Sequence, residues 1–276
     1  MRGVKSMKKY NIGFIGSGKM AGAIIKGLLN TGFISSENVI ATQSRQEGLD
    51  EKSEKLGIKI ILDNKELVSK SDVIFIATKP SQVFGVLEDI CEKITEEKLI
   101  ISLAAGVKTE DIEKVLPLKT RVVRVMPNTP VLVGEGMSAV VAGKVATQED
   151  LGYVSNLFST IGKSVVLADE SQMDIVTAIS GSGPAFFYKV INDIARAGEK
   201  LGLDYEKALL LSIQTSLGSA KMALNRDVDM EQLISNVATK GGCTRVGVDV
   251  MEESGIAKIF ENVVSKTAQK ASELGK

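Results

Sequence analysis

Histidine is absent from all 276 residues. That removes the commonest general acid or base near neutral pH and the commonest metal ligand. Only two cysteines are present, Cys91 and Cys243, far apart in the chain. Two thiols without histidine do not make a zinc site or a disulfide framework, and they fit a reducing compartment. Neither sign of charge is in excess: 34 Lys and Arg stand against 34 Asp and Glu, so the basic footprint of a nucleic-acid binder is missing. No apolar run is long enough to cross a bilayer. The start shows no basic segment followed by an apolar core and a cleavage site, and residues 1–6 carry no pattern of their own. The expectation is a cytoplasmic chain without membrane or nucleic-acid partners. Its chemistry rests on Lys, Tyr, carboxylates, hydroxyls, backbone dipoles or a cofactor.

What is present is an alternation of strand and helix patterns. Near-continuous apolar runs at 10–15, 39–42, 58–62, 73–77, 99–103 and 121–126 predict strands. Helical spacing at 19–29, 46–55, 81–93 and 109–115 separates most of them. Such runs predict a parallel, doubly wound sheet of the Rossmann type. Residues 137–142 read as a further edge strand, 148–161 as a helix and 164–167 as a last strand. Beyond Asp169 strand signals stop, and 171–179, 184–201, 205–224, 230–237, 245–252 and 256–274 all read as helices. The fold class is therefore α/β, with a dinucleotide-binding domain over 7–168 and an all-helical domain over 169–276. Residues 208–223 are apolar around much of the helix circumference, which predicts burial, in part by a partner subunit.

Two glycine turns carry the chemistry. In the first, Gly16, Gly18 and Ala21 form a G-x-G-x-x-A fingerprint directly after the first strand and at the start of a helix. One glycine permits the tight turn, the next lets a pyrophosphate reach the backbone, and alanine lets the helix pack close. An NAD site places Asp or Glu at the tip of the second strand. Here the tip holds Thr42, Gln43, Ser44 and Arg45, whose hydroxyls and guanidinium suit the 2′-phosphate of NADPH, with NADH as the alternative. Ala77, Thr78, Lys79 and Pro80 follow the fourth apolar run, at the end of a parallel strand where ligands bind. Small residues at 102–106, including Ala105, leave room for a flat ring.

The second turn joins Gly241 and Gly242 to Cys243 and Thr244 at the start of another helix. Free backbone N–H groups and the positive end of a helix dipole make it a seat for a small anion such as a carboxylate. A dinucleotide loop and an acid seat together point to hydride transfer onto a small acid.

The segments GFIGSGKMA (13–21), ATKP (77–80), SLAAGV (102–107), RVMPNTP (124–130), SGSGPAF (180–186) and TKGGCTRVGVDVME (239–252) occur in this order. From about residue 7 onward the chain resembles the pyrroline-5-carboxylate reductases. The resemblance implies NAD(P)H-dependent reduction of the cyclic imine 1-pyrroline-5-carboxylate to L-proline. It implies cofactor contacts at Ile15, Gly16, Ser17, Gly18, Lys19, Met20, Gln43, Ser44, Arg45, Asn64, Ala77, Thr78, Lys79, Pro80, Ala105 and Asn236. It places the substrate at Gly241, Gly242, Cys243 and Thr244, its carboxylate on backbone N–H groups and the Thr244 hydroxyl near the imine nitrogen as the catalytic contact. It also implies a homodimer or larger assembly through the helical domain. Lys19 departs from the polar amide of many relatives, and Thr239-Lys240 from their usual Ser-Pro pair, which loosens the turn and adds a cation beside the anion seat.

Two rival readings arise. The stretch 181–193 resembles the catalytic segment of β-hydroxyacid dehydrogenases, with Lys189 as acid/base and Asn192 orienting substrate, although Pro184 and Ala21 break that pattern. Both residues read more simply as solvent-facing positions of an amphipathic helix. A non-catalytic NADPH-binding paralogue is the other reading. Its mark is a lost substrate turn, whereas Gly241, Gly242 and Thr244 are all present.

Overall fold

A computed structural model of the chain describes residues 10–224 and 229–274, so the expected domain start at residue 7 lies outside the described residues. The chain forms two compact units. One runs to Ser182 and includes the residues from Thr267 onward, and the other is Gly183–Lys266.

In the first unit β1 (Ile12–Ile15), α1 (Lys19–Asn30), β2 (Val39–Thr42), α2 (Leu49–Leu56), β3 (Lys59–Ile61), α3 (Asn64–Ser69), β4 (Val73–Ile76), α4 (Val83–Ile90), β5 (Leu99–Ser102), α5 (Thr109–Val115) and β6 (Arg121–Met126) alternate. They are followed by β7 (Gly136–Ala142), α6 (Gln148–Ser159), β8 (Gly162–Val166) and the single-turn α7 (Met173–Val176). The eight strands form one sheet in the order β3-β2-β1-β4-β5-β6-β7-β8. From β3 to β6 all pairs are parallel, β7 runs antiparallel to β6, and β8 is parallel to β7. This is the expected Rossmann-type sheet.

Every residue of β1, β4 and β5 is buried, because helices cover both faces of the sheet. Side chains alternate between the faces. Phe14, Phe75, Ile101 and Val123 meet α1 and α6, while Ile15, Ile74, Ile100 and Val122 meet α3, α4 and α5. At the centre, Phe14 and Phe75 stack with ring centroids 4.3 Å apart. Burying side chains of this size contributes about 1.5–3 kcal/mol each.

The structure corrects two local expectations. The strand at β7 is not an edge: it lies between β6 and β8, and β8 is the edge. Both faces of β7 are largely covered, whereas Val165 and Val166 of β8 stand partly in solvent. The helix α3 was not expected, because its one short apolar step, Leu67 and Val68, shows no periodicity. Its start is set by Asp63, whose carboxylate accepts from the backbone N–H groups of Lys65 (2.8 Å) and Glu66 (3.1 Å).

The last strand ends at Val166, yet the first unit continues to Ser182. Met173 is fully buried against Ala139 and Val141. Arg124 of β6, only 3 % exposed, donates through Nη1 to Glu170 Oε1 at 2.9 Å. Glu170 also accepts from the backbone N–H of Thr109 at 2.9 Å and from its hydroxyl at 2.5 Å. A buried guanidinium and a carboxylate thus pin residues 169–176 to the sheet. The chain then makes one π-helical turn, Thr177–Gly181.

The second unit contains α8 (Gly183–Lys200), α9 (Tyr205–Ala223), α10 (Met230–Val237), α11 (Cys243–Glu253) and most of α12 (Ile256–Glu273). Helices α8 and α9 pack together, with Ser212 Oγ donating to the Ile191 carbonyl at 3.0 Å and the Tyr205 hydroxyl to Asn192 Oδ1 at 3.0 Å. The expected burial of 208–223 is not met within one chain. Only Ala208 and Ser212 of α9 are buried, while Leu210, Leu211, Ile213, Leu217 and Met222 are exposed. One neighbouring helix covers one stripe of α9, and its apolar surface is wider than a stripe. No described helix is long and apolar enough to cross a membrane.

Removing Glu170 takes the hydrogen-bonded carboxylate from a buried guanidinium and leaves it only Asp174, whose Oδ1 lies 3.9 Å from Nη2. Glu170→Ala is expected to cost on the order of 3 kcal/mol in urea denaturation. The double change Arg124→Met with Glu170→Met is expected to recover most of that. A Glu170→Ala loss no larger than that of an exposed ion pair, below about 1 kcal/mol, would show that the pair does not anchor the segment.

Candidate active site

The carboxyl ends of β1, β2 and β4 frame a hollow of about 340 Å³. Its wall begins where β1 stops. Gly16 takes φ +97°, and a β-carbon there would lie 2.9 Å from the Ala77 carbonyl oxygen, so the loop must pass β4 without a side chain. Gly18 forms the N-cap of α1 with no side-chain cap, which leaves the first-turn N–H groups of that helix facing outward.

A polar relay fixes the loop. The Gly16 N–H donates to Thr42 Oγ1 at 3.3 Å, and the Thr42 hydroxyl donates to Asn64 Oδ1 at 2.8 Å. The relay ties together the glycine loop, the tip of β2 and the start of α3. On another wall, Thr78 Oγ1 is buried and has no hydrogen-bond partner among the described residues. A buried hydroxyl without a partner costs free energy unless a ligand satisfies it. Lys52 and Lys79 line the hollow, and no Asp or Glu does. A cradle of glycine backbone, an open helix start, an orphan hydroxyl and two cations fit a phosphate-bearing dinucleotide.

Of the residues expected at the cofactor, the hollow brings together Ile15, Gly16, Ser17, Gly18, Gln43, Ser44, Asn64, Ala77, Thr78 and Lys79. The others lie elsewhere. Lys19 lines an adjoining groove, and Met20 packs against the core beneath α1. The Arg45 side chain is exposed and does not line the hollow. Its carbonyl accepts from Gln43 Nε2 at 2.7 Å, which fixes the tip. Pro80 opens a short 3-10 turn whose last residue, Gln82, does line the wall. Ala105 follows β5, half-buried. Asn236 belongs to the second unit, near the end of α10, where its Oδ1 accepts from Gln232 Nε2 at 2.8 Å. The sequence reading missed Lys52, Leu62, Gln82 and Val86. None belongs to a motif, and the helical position of Lys52 gains meaning only once α2 is packed beside the glycine loop.

In the second unit, Gly241 takes φ +77° and the Gly242 N–H donates to the Thr239 carbonyl at 3.0 Å, closing a tight turn. Gly242 forms the N-cap of α11 without a side-chain cap. The first-turn N–H groups at Cys243 and Thr244 are therefore left to an outside acceptor. The nearest guanidinium, Arg245, is directed along the helix to Asp249 (Nε–Oδ1 2.7 Å) and Glu252 (3.1 Å). Lys189 is exposed and paired with Asp193 at 2.6 Å, as the solvent-facing reading expects. Asn128, of the loop between β6 and β7, donates to the Ser180 carbonyl at 3.2 Å and accepts from the Met137 N–H at 2.8 Å, bracing that loop.

A sequence model described as pyrroline-5-carboxylate reductase dimerisation matches residues 170–274, and one described as NADP oxidoreductase, coenzyme F420-dependent, matches residues 11–106. The pyrroline-5-carboxylate reductase of Methanosarcina acetivorans is 42% identical over 98% of this chain and 100% of its own length. The chain belongs to the pyrroline-5-carboxylate reductase family. That of Pisum sativum is 37% identical over 96% of both chains. The crystal structure of the Plasmodium falciparum pyrroline carboxylate reductase with NADP bound superposes with a TM-score of 0.88, at 32% identity, over 98% of this chain and 100% of that one. The Coxiella burnetii pyrroline-5-carboxylate reductase gives 0.90 at 34% identity, with the same coverage.

The orphan hydroxyl gives a test with two opposite signs. Thr78→Val is expected to leave the ligand-free melting temperature unchanged or raised, because an unsatisfied buried hydroxyl is removed. It is also expected to weaken NADPH binding by about 1 kcal/mol. Calorimetry and a binding titration read the two effects separately. A variant less stable without ligand and unaltered in affinity would remove Thr78 from the site.

Proposed function

We infer that this chain reduces the ring C=N bond of 1-pyrroline-5-carboxylate, with NADPH or NADH, to give L-proline, a step of amino-acid biosynthesis. The single observation that carries this reading is membership of the reductase family along the whole chain. The hollow at the strand ends and the open start of α11 support it.

NADPH supplies the hydride when bound. The glycine loop Ile15–Gly18, with Lys19 and Met20, holds its phosphate end. Gln43, Ser44, Arg45 and Asn64 hold the adenosine side, and Ala77, Thr78, Lys79, Pro80 and Ala105 flank the rest, with Asn236 a further contact. The substrate carboxylate rests on the N–H groups of Cys243 and Thr244, in the turn that Gly241 and Gly242 shape. Two N–H donors and the α11 dipole favour an anion there. The Thr244 hydroxyl hydrogen-bonds the substrate beside the ring nitrogen.

The missing histidine fits this chemistry. A ring imine that arrives protonated is already electrophilic at carbon. The hydride adds to that carbon, the C=N π pair moves onto nitrogen, and the nitrogen keeps the proton it brought. The protein has no proton to deliver in the step. It works by orientation and fixed dipoles. Cys243 contributes its backbone, so its thiol is not consumed.

Residues 7–168 serve as the cofactor domain and 169–276 as the substrate-binding and dimerisation domain. The exposed apolar surface of α9 supports a homodimer or larger assembly in which a second copy covers Leu210, Leu211 and Leu217. Two free cysteines fit a cytoplasmic location.

Following NADPH absorbance with 1-pyrroline-5-carboxylate is expected to show imine-dependent oxidation, and a 3-hydroxy acid with NADP⁺ is expected to show none. Thr244→Val is expected to lower kcat/KM by roughly five- to tenfold, the loss of one hydroxyl hydrogen bond, while Cys243→Ser and Lys189→Met retain activity. Wild-type kinetics in Thr244→Val would sink the role given to that hydroxyl. Sedimentation equilibrium is expected to give at least twice the chain mass, and Leu210→Glu with Leu217→Glu to shift it toward the monomer. A monomeric wild type would refute the assembly.

A further inference from the structure

Lys52 stands on the face of α2 turned toward the glycine loop, with its Nζ 3.4 Å from Ser17 Oγ, its one hydrogen bond among the described residues. It lines the cofactor hollow beside Gln43 and Ser44. It also lines an adjoining groove of about 490 Å³ between α1 and α2, where Lys19, Lys26 and Lys55 surround a floor that includes Leu56. No Asp or Glu lines either space, in a chain whose charges balance overall. Lys52 is therefore the cation shared by the hollow and a groove whose charged residues are all lysines, and its partner among the described residues is a neutral hydroxyl. Arg45, the cation read from the sequence, is exposed and outside the lining.

We propose that Lys52 reads the 2′-phosphate of NADPH and sets the preference for NADPH over NADH. The proposal rests on the NADP(H) reading of the hollow and adds to it a residue outside any motif. The pyrophosphate of a dinucleotide is met by the open start of α1 and the glycine backbone. The ribose 2′ position falls at the tip of the second strand, which here is Gln43 and Ser44. A lysine lining the space between loop and tip adds a point charge suited to a phosphate dianion. Lys26 and Lys55, in the adjoining groove, raise the local positive potential and draw the more highly charged cofactor preferentially.

The test is equilibrium binding on the full chain, with 2′,5′-ADP against 5′-AMP and NADPH against NADH. Lys52→Met is expected to weaken 2′,5′-ADP and NADPH on the order of tenfold while leaving 5′-AMP and NADH unchanged. Lys52→Arg is expected to keep most of the preference, and the ligand-free melting temperature of both variants is expected to match wild type. Equal weakening within each pair would assign Lys52 to the shared 5′-phosphate and overturn the proposal, as would no weakening at all. A wild type that does not prefer 2′,5′-ADP over 5′-AMP would overturn the NADPH reading itself, and the proposal with it.

Discussion

Covering both faces of a parallel sheet leaves its strand ends as the place where polar groups can gather. Phe14, Phe75, Ile101 and Val123 on one face, and Ile74, Ile100 and Val122 on the other, admit no polar side chain without an unpaired buried group. The chain therefore concentrates hydrogen-bonding capacity where β1, β2 and β4 stop. Thr42 is the keystone of that edge. Its hydroxyl accepts from the glycine loop and donates to Asn64, so one buried oxygen fixes three segments that are distant in sequence. The cradle for phosphate is thereby made before any ligand arrives, and binding need not order it.

The parts of this arrangement that were legible in the sequence are the local ones. The fingerprint at Gly16, Gly18 and Ala21 is a single turn of backbone, and its residues are constrained by what a turn requires. The missing acid at the β2 tip was legible as well, since four adjacent residues decide it. α3 was not legible, because a six-residue helix with one apolar step has no period to detect. Lys52 was not legible, because nothing in DEKSEKL distinguishes the lysine that reaches the glycine loop from the one that lines only the neighbouring groove. The standing of β7 was misjudged because edge or interior is a property of pairing order, which strand composition does not carry.

The burial expected of α9 is only partly met within one chain, for a related reason. Its apolar circumference is real, but the main cover among the described residues is α8, with Ser212 and Ala208 along the contact. Likewise the change from strand to helix near residue 168 was read correctly as a change of secondary structure, while compactness follows the Arg124–Glu170 pair and the Met173 contact further along. Periodicity reports which face is apolar. It does not report which molecule or which unit supplies the other half of the contact.

The exposed side of α9 has a consequence for how this protein behaves on dilution. Once a second copy covers Leu210, Leu211 and Leu217, folding of the helical half becomes linked to association by mass action. Its unfolding midpoint then rises with total protein, and dilution acts as a mild denaturant. Expression level would then become a determinant of lifetime: sparse chains would present those leucines to chaperones and proteases, while abundant ones would hide them. The sheet, whose core is complete within one chain, has no such dependence. In the proposed assembly, one polypeptide would thus join a half whose stability is intrinsic to a half whose stability is collective.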